Sequence, residues 1–206
     1  VSIIRPFALN GDALFAIRGA GQQPVPGCSS ISSNGITIDL RFLTGINVKD
    51  GVVEIGAGQR WGPVYEKLSD QGLGVTGSRS ALGGIGELSL AGNSNFFLCI
   101  LLPLASDSAL LTPACPLGGL SFFSSREGFI CDNVVNYELV LSTGDVVNAN
   151  ATENADLWRA LRSEGNNFGI VTRFDIRIFE QGHFWGGAVF YFPSSFPDQI
   201  QRIATN

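Results

Sequence analysis

The chain has 206 residues, 45% hydrophobic and 15% charged, a composition that supports a packed core and excludes a disordered polymer. A net charge of −5 without any basic cluster excludes nucleic acid and anionic membrane as principal partners. One histidine and four cysteines (Cys28, Cys99, Cys115, Cys131) without C-x-x-C spacing leave no zinc site of familiar pattern, and the cysteines read as buried or half-buried core residues.

In chain order, Phe7 to Asn10 trails into a turn at Asn10-Gly11-Asp12, and Leu14–Ile17 reads as a short buried strand. The loop Arg18-Gly19-Ala20-Gly21-Gln22-Gln23-Pro24 follows directly. Three strand-like runs come next, Ile36–Leu40, Gly45–Val48 and Val52–Ile55, divided by the turn Lys49-Asp50-Gly51. Trp61, Val64, Tyr65 and Leu68 fall at helical spacing, so Trp61–Asp70 is expected as a helix with Gly72 as its stop. A glycine-rich stretch runs from Gly72 to Gly92, one of three clusters (18–27, 72–92, 118–119) that hold many of the 26 glycines. Such clusters mark backbone that turns with positive φ or approaches a ligand closely. Val134–Leu141 and Val146–Ala149 form an expected hairpin across Ser142-Thr143-Gly144-Asp145. Asn154–Arg162 is an expected helix, Phe168–Phe179 an alternating strand, His183–Phe192 another strand, and Ser195–Ala204 the start of a helix. The mixture is α+β with strands dominating. Asn150-Ala151-Thr152 is a formal glycosylation sequon and a weak pointer to secretion.

Residues 93–117 break this rhythm. Asn93 to Leu104 is mostly apolar and gives way to a Ser/Ala/Leu/Pro sequence with one charge, Asp107. The apolar run is about half the length that spans a bilayer, and it lacks the basic flank of a signal peptide.

Three ordered segments carry a family resemblance. Phe15-Ala16-Ile17-Arg18-Gly19-Ala20-Gly21 is similar to a strand-loop F-A-I-R-G-G-G-H. Gly72-Leu73-Gly74-Val75 through Gly83-Gly84-Ile85-Gly86, then Leu88-Ser89-Leu90-Ala91-Gly92, resembles G-L-x-V…G-V-G-G-L-T-L-G-G. The third segment comprises Gly128 to Val134, Glu138 to Leu141, Glu153 to Trp158, and Gly165-Asn166-Asn167-Phe168-Gly169-Ile170-Val171-Thr172. Together they resemble flavoproteins related to vanillyl-alcohol oxidase and berberine bridge enzyme, and most of all their fungal members. The resemblance implies a PCMH-type FAD-binding domain, two α/β subdomains cradling FAD, over residues 1–179, with 180–206 opening a substrate domain. It places the pyrophosphate between the Arg18, Gly19, Ala20, Gly21, Gln22 loop and a second loop containing Gly77, Ser78, Gly84, Gly86, Leu88 and Gly92. Val134 and the strand residues Gly169, Ile170 and Val171 lie along the cofactor in that reading. Glycine-rich turns suit this task because they present backbone N–H groups without Cβ atoms in the way. No G-x-G-x-x-G opens a helix after a first strand, so the arrangement is not the Rossmann one.

Several positions depart from the family pattern. Gln22 stands where a histidine usually bonds covalently to the flavin, and Ser80 where some members use a cysteine, so FAD is expected to be non-covalent. Glu87 replaces a glycine of G-V-G-G, and Ser163-Glu164 replace two more; a carboxylate near a pyrophosphate costs electrostatic energy unless it faces solvent. The resemblance also runs Leu88–Gly92 straight into Gly118–Ser124, with 93–117 wedged between. This segment reads as an intron retained in frame: Gly92-Asn93 permits a G|GTAAT donor, Leu111-Thr112 a CTAAC branch point, and Leu117-Gly118 a TTAG|G acceptor. A genuine loop insertion is the competing reading.

The resemblance further implies that the domain is truncated at both ends and inactive alone. No catalytic residue can be assigned: His183 reads as structural, and Asp39, Asp132 and Asp156 as turn or capping residues. The expected activity is FAD-dependent oxidation of an alcohol, amine or secondary-metabolite carbon, with hydride passing to flavin N5 and O2 as acceptor. The expected partners are FAD and a small-molecule substrate. A non-catalytic truncated product, and a flavin-fold protein doing non-redox cyclisation or lyase chemistry, are the alternatives.

Overall fold

The computed structural model describes residues 14–21, 31, 35–90, 119–162, 168–186, 190, 192 and 195–205, without the side chains of Leu14, Glu87, Leu88, Pro197 and Ile203. Gln22, Gly92, the segment 93–117, Ser163-Glu164 and the cysteines at 28, 99 and 115 lie outside the described residues.

Strand β1 (Leu14–Arg18) pairs in parallel with β2 (Gly35–Asp39), with Arg18 opposite Asp39. β3 (Ile46–Lys49) and β4 (Val52–Gly56) form a hairpin whose two-residue loop, Asp50-Gly51, has φ of 52° and 78°. Two positive φ values in succession match the right-handed twist of the flanking strands, which is why Asp-Gly occupies this loop. Helix α1 (Trp61–Ser69) buries Trp61, Val64 and Leu68. It ends at Asp70, and the chain reverses at Gly72 with φ 68°.

Two short elements lie inside the glycine-rich stretch: β5 (Leu73–Val75) and α2 (Ile85–Leu90). Beyond them come α3 (Ser124–Glu127), a 3-10 turn at Cys131–Asn133, and the expected hairpin of β6 (Val134–Val140) and β7 (Val146–Asn150). Helix α4 (Ala155–Leu161), β8 (Ile170–Glu180) and α5 (Phe196–Thr205) follow.

The main sheet runs β3-β4-β8-β6-β7, and β5 pairs with the far end of β8, Val75 opposite Ile178 and Leu73 opposite Glu180. One face carries the core: Val53, Ile55, Tyr137, Leu139, Phe174 and Ile176, covered by Trp61, Val64 and Leu68 of α1, Ile85 of α2 and Leu161 of α4. Tyr137 meets Phe174 edge-on at 5.8 Å and donates to Ser89 O at 3.2 Å, which fixes α2 on the sheet. The opposite face is a polar ladder. Asn47 donates to Glu54, Arg173 bridges Glu138 and Asp175, and Asn136 links Asp175 with Asn148.

Two expectations change. The described residues of 183–192 form no strand; Trp185, Phe190 and Phe192 are exposed at 97%, 91% and 81%, and no described strand pairs with them. β-propensity alone does not hold a strand without a ladder partner. The sequon asparagine is also engaged. Asn150 Oδ1 accepts from Thr152 N, Thr152 Oγ1 and Glu153 N at 2.8–3.0 Å, and its Nδ2 donates to Asn136. These bonds form an Asx turn that leads toward α4, so the triplet has a structural use.

Candidate functional site

β1 delivers Arg18 to the first glycine turn. Gly21 sits at φ 71°, and the space a Cβ would take at Gly19 lies 3.5 Å from Ala57 O. Ala57 N in turn donates to Thr172 O at 2.9 Å, so the opening of β8 reaches the floor of this turn.

The second turn follows β5. Thr76, Gly77 and Ser78 are buried, held by Tyr65 Oη donating to Ser78 O and Gly77 N donating to Ser121 Oγ at 3.3 Å. A Cβ on Gly77 would lie 2.4 Å from both the Trp61 ring and Tyr65 Oη, so these stacked rings form a wall that only glycine fits. Backbone bonds from Trp61 N to Gly83 O and from Gly62 N to Ala81 O anchor the rest of the turn on α1. A Cβ at Gly84 would lie 2.6 Å from Ala20 Cβ. The two glycine turns, far apart in sequence, therefore touch at Ala20 and Gly84. At Gly86 nothing lies within 4 Å of the Cβ position, which leaves open space at the start of α2.

Gly169, Ile170 and Val171 lead into β8 beside Val140 and Leu139, and a Cβ on Gly169 would meet Val140 O at 2.7 Å. Arg18, Gly19, Ala20, Gly21, Gly77, Ser78, Gly84, Gly86 and this strand thus gather around Ala57 and α1. Val134 follows the 3-10 turn that packs against α2, at the other end of β6 from Gly169. It is fully buried and pairs with Ile176, six residues along β6 from Val140 and about 20 Å away at strand rise. The backbone of Leu88 lies in α2.

The electrostatics of the first turn centre on Asp39. Its Oδ2 accepts from Arg18 Nε at 3.2 Å, Arg18 Nη2 at 2.7 Å and Arg41 Nε at 2.8 Å, and Oδ1 accepts from Arg41 N at 3.0 Å. Arg41, first, and Arg18 hold the Asp39 carboxyl well below the usual carboxylate range. Asp39 is thus an ion-pair hub as well as a turn residue. Asp132 caps the turn at Phe129 N and pairs with Arg162, and Asp156 pairs with Arg159 on the surface of α4. His183 is exposed. Among the described residues no group of His, Cys, Asp and Glu could hold a metal, and no helix is long and apolar enough to cross a membrane.

These turns fit an anionic dinucleotide. Backbone without a Cβ atom faces open space at Gly86, and two buried polar atoms nearby, Thr76 Oγ1 and Trp61 Nε1, lack a hydrogen-bond partner among the described residues. Residues 3–93 match the family of the FAD binding domain. The chain carries the FAD-binding domain of the vanillyl-alcohol oxidase and berberine bridge enzyme-like flavoproteins. It is 40% identical over 191 residues to the FAD-dependent monooxygenase tpcD of Cochliobolus heterostrophus, covering 91% of this chain and 32% of that protein. The FAD-dependent monooxygenase CTB5 of Cercospora nicotianae is 40% identical over 183 residues, covering 88% and 34%. Among solved structures, 6-hydroxy-D-nicotine oxidase of Arthrobacter nicotinovorans superposes with a TM-score of 0.68 at 25% identity, covering 87% of this chain and 34% of that one. The berberine bridge enzyme-like protein 1 of Physcomitrella patens gives 0.66 at 25% identity, covering 85% and 33%. The chain spans about a third of the length of the curated relatives it matches.

Sequence reasoning missed the supports of this flavin domain: Tyr65, Ala57, Ser121 and the Arg18–Asp39 pair. Only the last left a signal, an acidic residue closing the strand after an arginine-ended one. Nothing in the sequence fixes the parallel register that joins them.

Proposed function

We propose that the chain forms the FAD-cradling part of an oxidoreductase that oxidises an alcohol, an amine or another carbon of a secondary metabolite. The observation that supports this most is the Ala20–Gly84 contact, which sets two Cβ-poor turns side by side with open space at Gly86. Bound FAD would supply the redox chemistry, taking hydride at N5 and passing electrons to O2. The chain's own part is to bind and orient it. Backbone N–H groups of 18–22 and 77–92 would meet the pyrophosphate, and Gly169–Val171 would lie alongside. Gln22 offers no imidazole to the flavin, so attachment is non-covalent. Residues 1–179 form the cofactor domain in this reading, and 180–206 open a second domain whose contacts would cover Trp185, Phe190 and Phe192.

Visible absorbance of the purified chain tests the assignment. A flavin spectrum, with all flavin left in the supernatant after acid precipitation, is expected. A colourless preparation that added FAD does not stabilise rejects the cofactor, and a yellow acid pellet rejects non-covalent attachment.

A second reading concerns 93–117. The family match ends at residue 93, where this segment begins, which favours a retained intron and a non-catalytic product. A genomic sequence without donor, branch-point and acceptor codons at 92–93, 111–112 and 117–118 would reject it.

A further inference from the structure

We propose that Asp39 is a positioning residue for the dinucleotide site, fixing the Arg18–Gly21 turn by clamping Arg18 and Arg41 together. The inference rests on the flavin reading for its purpose, but its geometry stands independently.

Asp39 ends β2 directly opposite Arg18 at the end of β1. Its carboxylate takes both arms of the Arg18 guanidinium on one side and the backbone and side chain of Arg41 on the other. The backbone adds a parallel link, Leu40 N donating to Arg18 O at 2.8 Å. The clamp therefore joins two loops. One is the Arg18–Gly21 turn, where the Arg18 side chain packs 3.3 Å from the Cβ position of Gly21 and Ala20 reaches Gly84. The other is the 40–45 loop, whose carbonyls at Leu43 and Gly45 accept from Gly58 N and Gly56 N at 2.9 and 2.8 Å. That second contact is close enough that a Cβ on Gly58 would lie 1.9 Å from Leu40 O. Asp39 is thus the node through which the small parallel sheet is registered on the large one, at the edge where the glycine turns meet.

Two consequences distinguish positioning from general stabilisation. The Arg18 guanidinium is directed to Asp39, so phosphate charge is met by backbone donors of an ordered turn, and order is what the clamp supplies. Both arginines are partly exposed, 34% and 61%, and such pairs add little to global stability. Loss of the clamp should loosen the turn while the core persists.

The test compares the parent chain with Asp39→Asn and with Arg41→Gln by amide exchange, FAD titration and thermal melting. Asp39→Asn is expected to speed exchange at Gly19–Gly21 and to weaken FAD about tenfold, the scale of one lost charge-assisted hydrogen bond. Exchange in β4, β6 and β8 and the ligand-free melting temperature should stay near the parent's. Arg41→Gln, which leaves the Arg18 pair in place, should give a smaller change of the same kind and decides the matter if Asp39→Asn does not fold. Unchanged exchange at Gly19–Gly21 in the folded variants overturns the clamp, even if FAD still binds. A parent chain that takes up no FAD rejects the flavin reading instead, and the exchange comparison still decides the clamp.

Discussion

At the scale of single residues the site depends on what is absent. Ala20 stands where the resembled loop has glycine, and its methyl occupies the space in front of Gly84. Gly84→Ala should therefore crowd the pair, weakening FAD by about tenfold or more and costing about 1–3 kcal/mol of stability. Ala20→Gly in the same chain should restore most of both, and a double-mutant cycle in FAD titration and urea melts measures that coupling. Asp39 gives a pH prediction. Because its folded-state pKa is depressed, the clamp's contribution is complete above the unfolded carboxylate value of about 3.9 and fades only as pH falls below it. The protection of the Gly19–Gly21 amides, relative to intrinsic exchange at each pH, should hold down to that pH and fall in stronger acid. Cys131 is buried, and desolvation, aided by Asp132, pushes its thiol up to about 11. The thiolate is the reactive form, so alkylation of the native chain near neutral pH should spare Cys131, as mass mapping would report.

At the scale of elements, α1 supplies three buried side chains, Trp61, Val64 and Leu68, to the cover of the sheet. Leu68→Ala, at 1% exposure, should cost about 2–5 kcal/mol in a urea melt. Tyr137→Phe, which removes only the bond holding α2 at Ser89, should cost about 1 kcal/mol. Much of this level was legible. Trp61, Val64 and Leu68 announce α1 by spacing, and Asp50-Gly51 and Thr143-Gly144 announce two hairpins by turn chemistry. The unread elements are short. β5 has three residues, α2 has six, and glycines at 84 and 86 hide any period. The strand expected at 183–192 is not seen among its described residues, since an alternating apolar pattern names a strand only where a neighbour supplies hydrogen bonds. Of the candidate site, the two glycine turns stand out in the sequence, because close approach demands glycine. Its second tier, Asp39 and Tyr65, does not, because ion pairs and buttresses depend on register between distant strands.

At the scale of the whole molecule, the segment 93–117 offers a direct experiment. A chain in which Gly92 is joined to Gly118 restores the continuity of the resembled loop, and it should express better and bind FAD at least as tightly. A deletion chain that fails to fold would identify 93–117 as an integral loop. The sheet order has another consequence. β8 pairs with β4 on one side and with β6 on the other, and with β5 at its end, yet it is the last of the eight described strands to be made. The two hairpins are local, but neither pairs with the other until residues 170–180 slide between them. A chain stopped before Phe168 should show no cooperative unfolding transition, and urea titration followed by circular dichroism would test that. During translation the apolar faces of β4 and α1 wait for their central strand for on the order of ten seconds at ordinary elongation rates. For the last few seconds of that interval the nascent chain resembles a zipper with both rows of teeth formed and the slider not yet made, and it is a natural client for a chaperone at the ribosome.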